Sequence, residues 1–264
     1  VVSVRHFRAR SWLIAFSVLV WRPGACTADP TAPPAYRFET YIGADYDGRA
    51  ASLTTSTVWS VSGPVSEPGF RIKLDGLADI YGNTNASVLS SSFQAADLKG
   101  LGAIMAGYQF QLGQFWLKLY AGAAYEAKAA VIWDVGQVLQ TSNWGASAAF
   151  EGYWQLDERI WSSLSISWLQ PDQSGTIYEK AGYDIYKDKD WRIAAGAEAG
   201  FTLGNADSFK EGKALNDYNT YSRAGALLNF HYGANEITLS GGFSRASNED
   251  ALRPYATVRY GRQF

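Results

Sequence analysis

The side chains best equipped for chemistry in this chain recur in alternation along polar faces. Asp75, Glu151, Glu198 and Arg223 share such faces with Trp116, Tyr120, Tyr153 and Tyr178. A flat ring offers apolar area on which a sugar face can lie, and carboxylates or guanidinium groups hydrogen-bond to hydroxyls. These eight residues form the candidate ligand-binding group, with Trp116, Tyr120 and Tyr153 as the expected stacking surface for a neutral polysaccharide. Two plainer readings stand beside this one. Inward charges pair across strands to stiffen a barrel, and rings fill narrow barrels.

Catalysis has less to draw on. The chain has two histidines, His6 and His231. Serine-based hydrolysis needs a histidine beside the serine and a third group to orient it. No Gly-x-Ser-x-Gly elbow accompanies the many serines. Glu151 and Glu198 fit glycoside hydrolysis only at the right separation, which depends on strand stagger. No residue is assigned as catalytic, and the chain reads as a non-enzyme, with a lipid-modifying barrel enzyme as a remote alternative. The single cysteine, Cys26, and the scarcity of histidine leave no metal-ligand set, and nothing calls for a cofactor.

The elements that must position these residues are strands. Aromatic residues make up 15% of the chain, against 18% charged residues and a single Met, with 26 glycines. That mixture favours β-structure over helix. A net charge of −2, with no basic run beyond the N-terminal region, argues against a nucleic-acid partner.

Residues 1–28 read as a signal peptide. Arg5, Arg8 and Arg10 precede an apolar stretch, Trp12 to Trp21, too short to span a bilayer as a helix, and small residues set up cleavage after Ala28. A lipid anchor on Cys26 is disfavoured by Pro23, which stands where a branched apolar residue is wanted. Residues 29–35 form a Pro-rich linker that cannot be strand interior.

From residue 36 to 264 the chain divides into about twelve period-two stretches. They fall near 36–47, 50–62, 69–81, 98–112, 114–128, 142–156, 159–169, 175–187, 190–203, 218–232, 235–246 and 252–264. Short turns at 112–114, 156–159, 187–190 and 233–235 alternate with longer polar loops at 82–97, 129–141 and 204–217. That asymmetry belongs to an outer-membrane barrel, with the short turns on the periplasmic side. A soluble sandwich or lipocalin-like barrel also alternates, but turns its apolar face inward. Three features favour lipid outside. Aromatics recur near strand ends (Trp59, Tyr108, Trp154, Trp191, Tyr232), small residues crowd the apolar faces, and the last stretch ends on Phe264, with Arg262 interrupting its apolar face. The expected fold is therefore all-β, a transmembrane antiparallel up-and-down barrel in the bacterial outer membrane, with lipid as its immediate partner.

Three segments carry a resemblance to a known family. They are Gly107-Tyr-Gln-Phe-Gln-Leu-Gly through Tyr120-Ala-Gly-Ala-Ala-Tyr-Glu126, Trp144-Gly-Ala-Ser-Ala-Ala-Phe-Glu-Gly-Tyr-Trp154, and Ile193-Ala-Ala-Gly-Ala-Glu-Ala-Gly-Phe-Thr-Leu-Gly-Asn205. Together they resemble the cellulose-biosynthesis protein S (BcsS-like) family of bacterial outer-membrane proteins. The resemblance implies a place in cellulose or exopolysaccharide biosynthesis and export, as a narrow pore or an accessory polysaccharide-binding factor. Implied partners are cellulose or another glucan and other cellulose-secretion components. The family brings no catalytic motif to carry over. A structural barrel that anchors a secretion complex or a surface layer is the alternative.

Overall fold

The computed structural model describes residues 36–47, 50–88, 91–132, 137–205, 218–246 and 251–264. The expected signal peptide and linker lie outside the described residues, as does most of the loop 204–217.

Twelve strands form in chain order among the described residues. They are β1 (Phe38–Tyr46), β2 (Ala50–Ser60), β3 (Gly69–Val88), β4 (Ser91–Leu112), β5 (Phe115–Ile132) and β6 (Gln137–Gln155). The second half comprises β7 (Ile160–Leu169), β8 (Ser174–Lys187), β9 (Trp191–Asn205), β10 (Tyr218–Tyr232), β11 (Asn235–Ala246) and β12 (Arg253–Gln263). Each pairs with its sequence neighbours, and β1 closes on β12 into a barrel. Closure leaves no sheet edge within the bilayer, where an unpaired backbone group would cost several kcal/mol, by the roughly 2–7 kcal/mol for burying an unbonded amide. At the seam the Phe38 and Phe264 amides donate to each other's carbonyls, at 3.2 and 2.8 Å.

The apolar face points outward. Leu74, Ile104, Leu119, Leu239 and Val258 are exposed on the outer surface. Aromatic rings gather at both rims. At the turn end Phe38 stacks on Trp59 (6.1 Å), Phe70 meets Tyr108 edge-on (5.0 Å), and Trp191 lies 4.7 Å from Tyr232. At the loop end Tyr125 and Trp144 are 4.8 Å apart. These are the two interfacial belts of an outer-membrane barrel, where ring bodies sit against lipid and polar tips against water. Arg262, the interruption on the last strand, lies at the turn-side rim over the Phe264 ring (5.0 Å), where a cation has headgroups and water beside it.

The short turns are set by local chemistry. Gly113 and Gly233 take positive φ (63° and 54°) at the first position of two-residue hairpins, the place of glycine in a type II′ turn. Asp157 Oδ1 accepts from the amides of Arg159 and Ile160 (2.7 Å each), and Asp188 Oδ1 from those of Asp190 and Trp191 (2.9 and 2.8 Å). At Asp188 the Tyr186 hydroxyl (2.6 Å) and then these amides, and at Asp157 the amides, hold the carboxyl below the ordinary carboxylate range.

Three sequence expectations need correction. Most of 82–97 and 129–141 is strand, because β3 and β4 stay paired to Val88 and Ser91, and β5 and β6 to Ile132 and Gln137. The connection 61–68 between β2 and β3, which sequence left unremarked, turns its backbone toward the lumen. Finally, Tyr186, which strict alternation from Tyr178 along 175–187 would place inside, pairs with outward-facing Ile193 because the register shifts between Asp184 and Tyr186. A β-bulge adds one residue and so moves the following side chain to the other face.

Candidate functional site

All eight candidate residues project into the lumen, where tilt and register bring together side chains from strands that are not neighbours. Lys118 on β5 reaches Glu39 on β1 (3.3 Å) and Glu151 on β6 (3.6 Å). Lys73 on β3 reaches Glu151 (2.7 Å) and Asp75 (3.1 Å), and Ser56 donates to Asp75 (2.7 Å). Strands β1 and β5 are separated by three others, so this chain of ion pairs crosses the lumen. Under it Tyr120, only 4% exposed, packs with Ala103, Met105, Ala124 and Ala149, with Lys73 Nζ 5.4 Å from its ring centre. The hydroxyl of Tyr120 is buried without a hydrogen-bond partner.

A second cluster joins β1, β8, β9, β10 and β12. Arg223 Nη1 is shared between the two carboxylate oxygens of Asp45 (3.0 and 3.1 Å), and the guanidinium lies between the rings of Tyr178 (4.8 Å) and Tyr255 (4.9 Å). Tyr255 donates to Glu198 (2.9 Å), a carboxylate 3% exposed and 3.9 Å from Arg223. A guanidinium placed between two rings and bonded to a carboxylate has little freedom to turn.

Near the turn end, Trp116 and Tyr153 are direct register partners on β5 and β6, and Tyr153 stacks on Trp161 of β7 (6.3 Å, 21°). The three rings form a row across adjacent strands. Of the expected stacking group, the structure thus places Trp116 beside Tyr153 and sets Tyr120 deeper, beneath Lys73. Trp161, which stands outside the candidate group, extends the row because Gly182 opposite it leaves room for the ring. A Cβ at residue 182 would stand 2.5 Å from the indole.

Both mouths are narrowed by turns. At the turn end Arg71, 1% exposed, donates to the Ser60 hydroxyl (2.7 Å) and to the carbonyls of Pro64 (3.3 Å) and Glu67, and Gln109 donates to those of Val65 (3.0 Å) and Glu67 (3.1 Å). These bonds draw the 61–68 connection over the opening. At the loop end Asp172, on the β7–β8 turn, is bound by Lys99 (2.5 Å) and Lys128 (3.2 Å). His231 sits 3.3 Å from Glu236, which also accepts from Asn229 (2.6 Å), so its contact is a carboxylate within a polar cluster. Among the described residues no group of three or more potential ligands is placed to hold a metal ion.

With this geometry in place, comparison with known proteins is informative. The family model described as cellulose biosynthesis protein BcsS matches residues 40–263. Comparison with curated proteins finds no match. Among solved structures, the chain is similar to the beta domain of the Bordetella autotransporter BrkA, at 12% identity and TM-score 0.50, over 88% of this chain and 100% of that one. It is also similar to the transport unit of the autotransporter AIDA-I from Escherichia coli, at 9% identity and TM-score 0.50, over 90% and 92% of the two chains. Likeness at this level is one of fold, that of an outer-membrane barrel.

Proposed function

The chain belongs to the cellulose biosynthesis protein BcsS family, and from that premise we propose that it is an accessory factor which holds a glucan at its turn-side mouth without threading it. The observation that supports this reading is the order of groups along the lumen. The row Trp116, Tyr153 and Trp161 lies toward the turn end, and the Glu39–Lys118–Glu151–Lys73–Asp75 chain crosses the lumen above it. Pyranose faces stack on rings with modest energy each, about 0.5–1.5 kcal/mol by analogy with aromatic pairs. Breaking a desolvated ion pair costs about 3–5 kcal/mol. A neutral glucan therefore gains enough to dock on the rings but not enough to part the charges above them.

The test is titration of cellohexaose into refolded barrel, followed by tryptophan fluorescence, with single-channel recording alongside. Trp116→Ala and Tyr153→Ala should weaken binding about tenfold while the protein keeps its heat-modifiable migration. Discrete openings blocked by cellohexaose would replace this reading with a conducting pore, and binding indifferent to both variants would remove the aromatic row from it. A second reading, an anchor for other cellulose-secretion components, is favoured by the extension of β3–β6 beyond their neighbours, which provides a wall to dock against.

A further inference from the structure

The lipid-facing surface carries one anomaly. Among the described strand residues that face outward between the aromatic belts, only Glu179 on β8 bears a charge; Arg262 lies at the turn-side rim and Arg245 beyond Phe243 on the loop side. Glu179 is exposed, and its register partners are Leu164 on β7 and Ala199 on β9, both on the outer face. No hydrogen bond or ion pair among the described residues includes it. Its depth follows from register. Exposed Trp168, paired with Gly175, marks the loop side, and Tyr183, whose hydroxyl accepts from Arg159 (3.4 Å), marks the turn side. Glu179 stands four residues from Gly175 and four from Tyr183. At about 3.3 Å per residue and a tilt of about 40°, that is roughly 10 Å inside either belt.

A carboxylate turned to hydrocarbon is costly, and the cost rises toward the bilayer middle. Lysine and arginine stems escape by reaching back to the headgroups, but a glutamate stem is too short for that. Lys180, next in the chain, lies over the inward-facing Tyr178 ring (5.4 Å), so the sheet separates it from Glu179. The surface beside Glu179 is low. Ala181, Ala197 and Ala226 follow one another in register across β8, β9 and β10, and Ala199 and Ala224 form the next such pair. Small residues let a second membrane-embedded chain approach closely. That chain must bring the charge Glu179 lacks. A second copy of this protein would meet Glu179 with a like charge, since its described outer face has no cation between the belts. Amine-bearing lipid headgroups sit at the belts, well above or below this depth. We propose that the β8–β10 face centred on Glu179 is an interface for a different membrane-embedded protein, one that presents a lysine or arginine to lipid at the same depth.

Photo-crosslinking in native outer membranes tests this, with benzoylphenylalanine placed at residue 197 and, as a control on the opposite wall, at residue 74. A discrete adduct with a second protein is expected from residue 197 and none from residue 74. Glu179→Gln should lower its yield about tenfold. Peptide mapping should find a lysine or arginine on the partner's membrane-facing side, and its replacement by glutamate should restore the adduct to Glu179→Lys. No adduct, adducts only with lipid or with this chain, a yield indifferent to Glu179→Gln, or a mapped surface without a cation overturns the proposal. Unfolding of the refolded barrel alone is the second measurement. Without a partner Glu179 faces lipid, so Glu179→Leu should raise the urea midpoint. A lowered midpoint would mean that the barrel itself uses the carboxylate, and overturns the interface. Neither readout involves the lumen, so this interface and the glucan reading can fail separately.

Discussion

On the β3–β6 side of the lumen, lysines and carboxylates touch. Lys73 and Lys118 each have their ammonium within 3.6 Å of a Glu151 oxygen, over a layer made by Tyr120, Met105 and three alanines. On the β7–β12 side the inward face of β7 is Ser163, Ser165 and Ser167, beside Lys180 of β8, which no salt bridge among the described residues includes. Both sides must keep charge stable inside a cylinder surrounded by lipid. The first does so by direct pairing over an apolar floor; the second pairs Arg192 with Asp184 and Arg223 with Asp45 and sets small hydroxyls between them on β7. Pairing over a packed layer gives rigidity, whereas a wall of serines leaves side-chain space unfilled.

The contrast is broken most severely by Glu151→Ala, which leaves Lys73 with Asp75 and Lys118 with Glu39 as their remaining carboxylates. A loss of about 3 kcal/mol in urea unfolding from lipid vesicles is expected, with ion conductance raised over that of the native barrel. An effect below 1 kcal/mol would mean that the crowded side is solvated. Filling experiments sharpen the comparison further. Ala124→Phe, into the packed layer, should cost about 1–3 kcal/mol, while Ser165→Phe should change stability by about 0.5 kcal/mol or less. Equal costs would erase the difference between the two walls.

The smallest effect is expected at the loop-side mouth. Burial opposes ionisation of Asp172, but Lys99 and Lys128 outweigh it and hold the carboxyl below its ordinary value. A carboxylate lowered by folding stabilises above its unfolded pKa, about 3.9, and stops doing so as pH falls through the lower folded value. Protection factors at the Asp172 and Gln173 amides, corrected for intrinsic exchange, should therefore be steady through neutral pH and fall below about pH 4. Asp172→Asn should lose that step and about 1 kcal/mol of local protection. An unchanged pH response in the variant would mean that the turn is held by something else.

The barrel was legible in the sequence because lipid imposes a period of two. Leu119 outside and Tyr120 inside, or Ile166 outside and Ser165 inside, are fixed by alternation alone. The inward placement of all eight candidate residues follows from the same rule. What alternation does not carry is distance across the lumen. Lys99 and Asp172 are 73 residues apart, and Glu39 and Lys118 are 79 apart, so their meeting depends on tilt and stagger rather than on any local pattern. The inward fold of residues 61–68 was hidden for a related reason. Its carbonyls are held by Arg71 and Gln109, whose side chains announce charge and polarity but not their acceptors. At Tyr186 one inserted residue reversed an otherwise correct reading of faces.

The extended strands have a consequence of their own. Past Tyr81, β3 pairs with no described residue of β2, and before Ala146, which bonds to Gln170, β6 pairs with none of β7, yet both stay paired to β4 and β5 on their other side. Main-chain donors and acceptors along such a margin can bond to an extended peptide as well as to water. A strand from another chain can be laid there without disturbing a pair already made. Recognition of that kind reads backbone before side chain, so a visitor would be chosen first by its length and alignment.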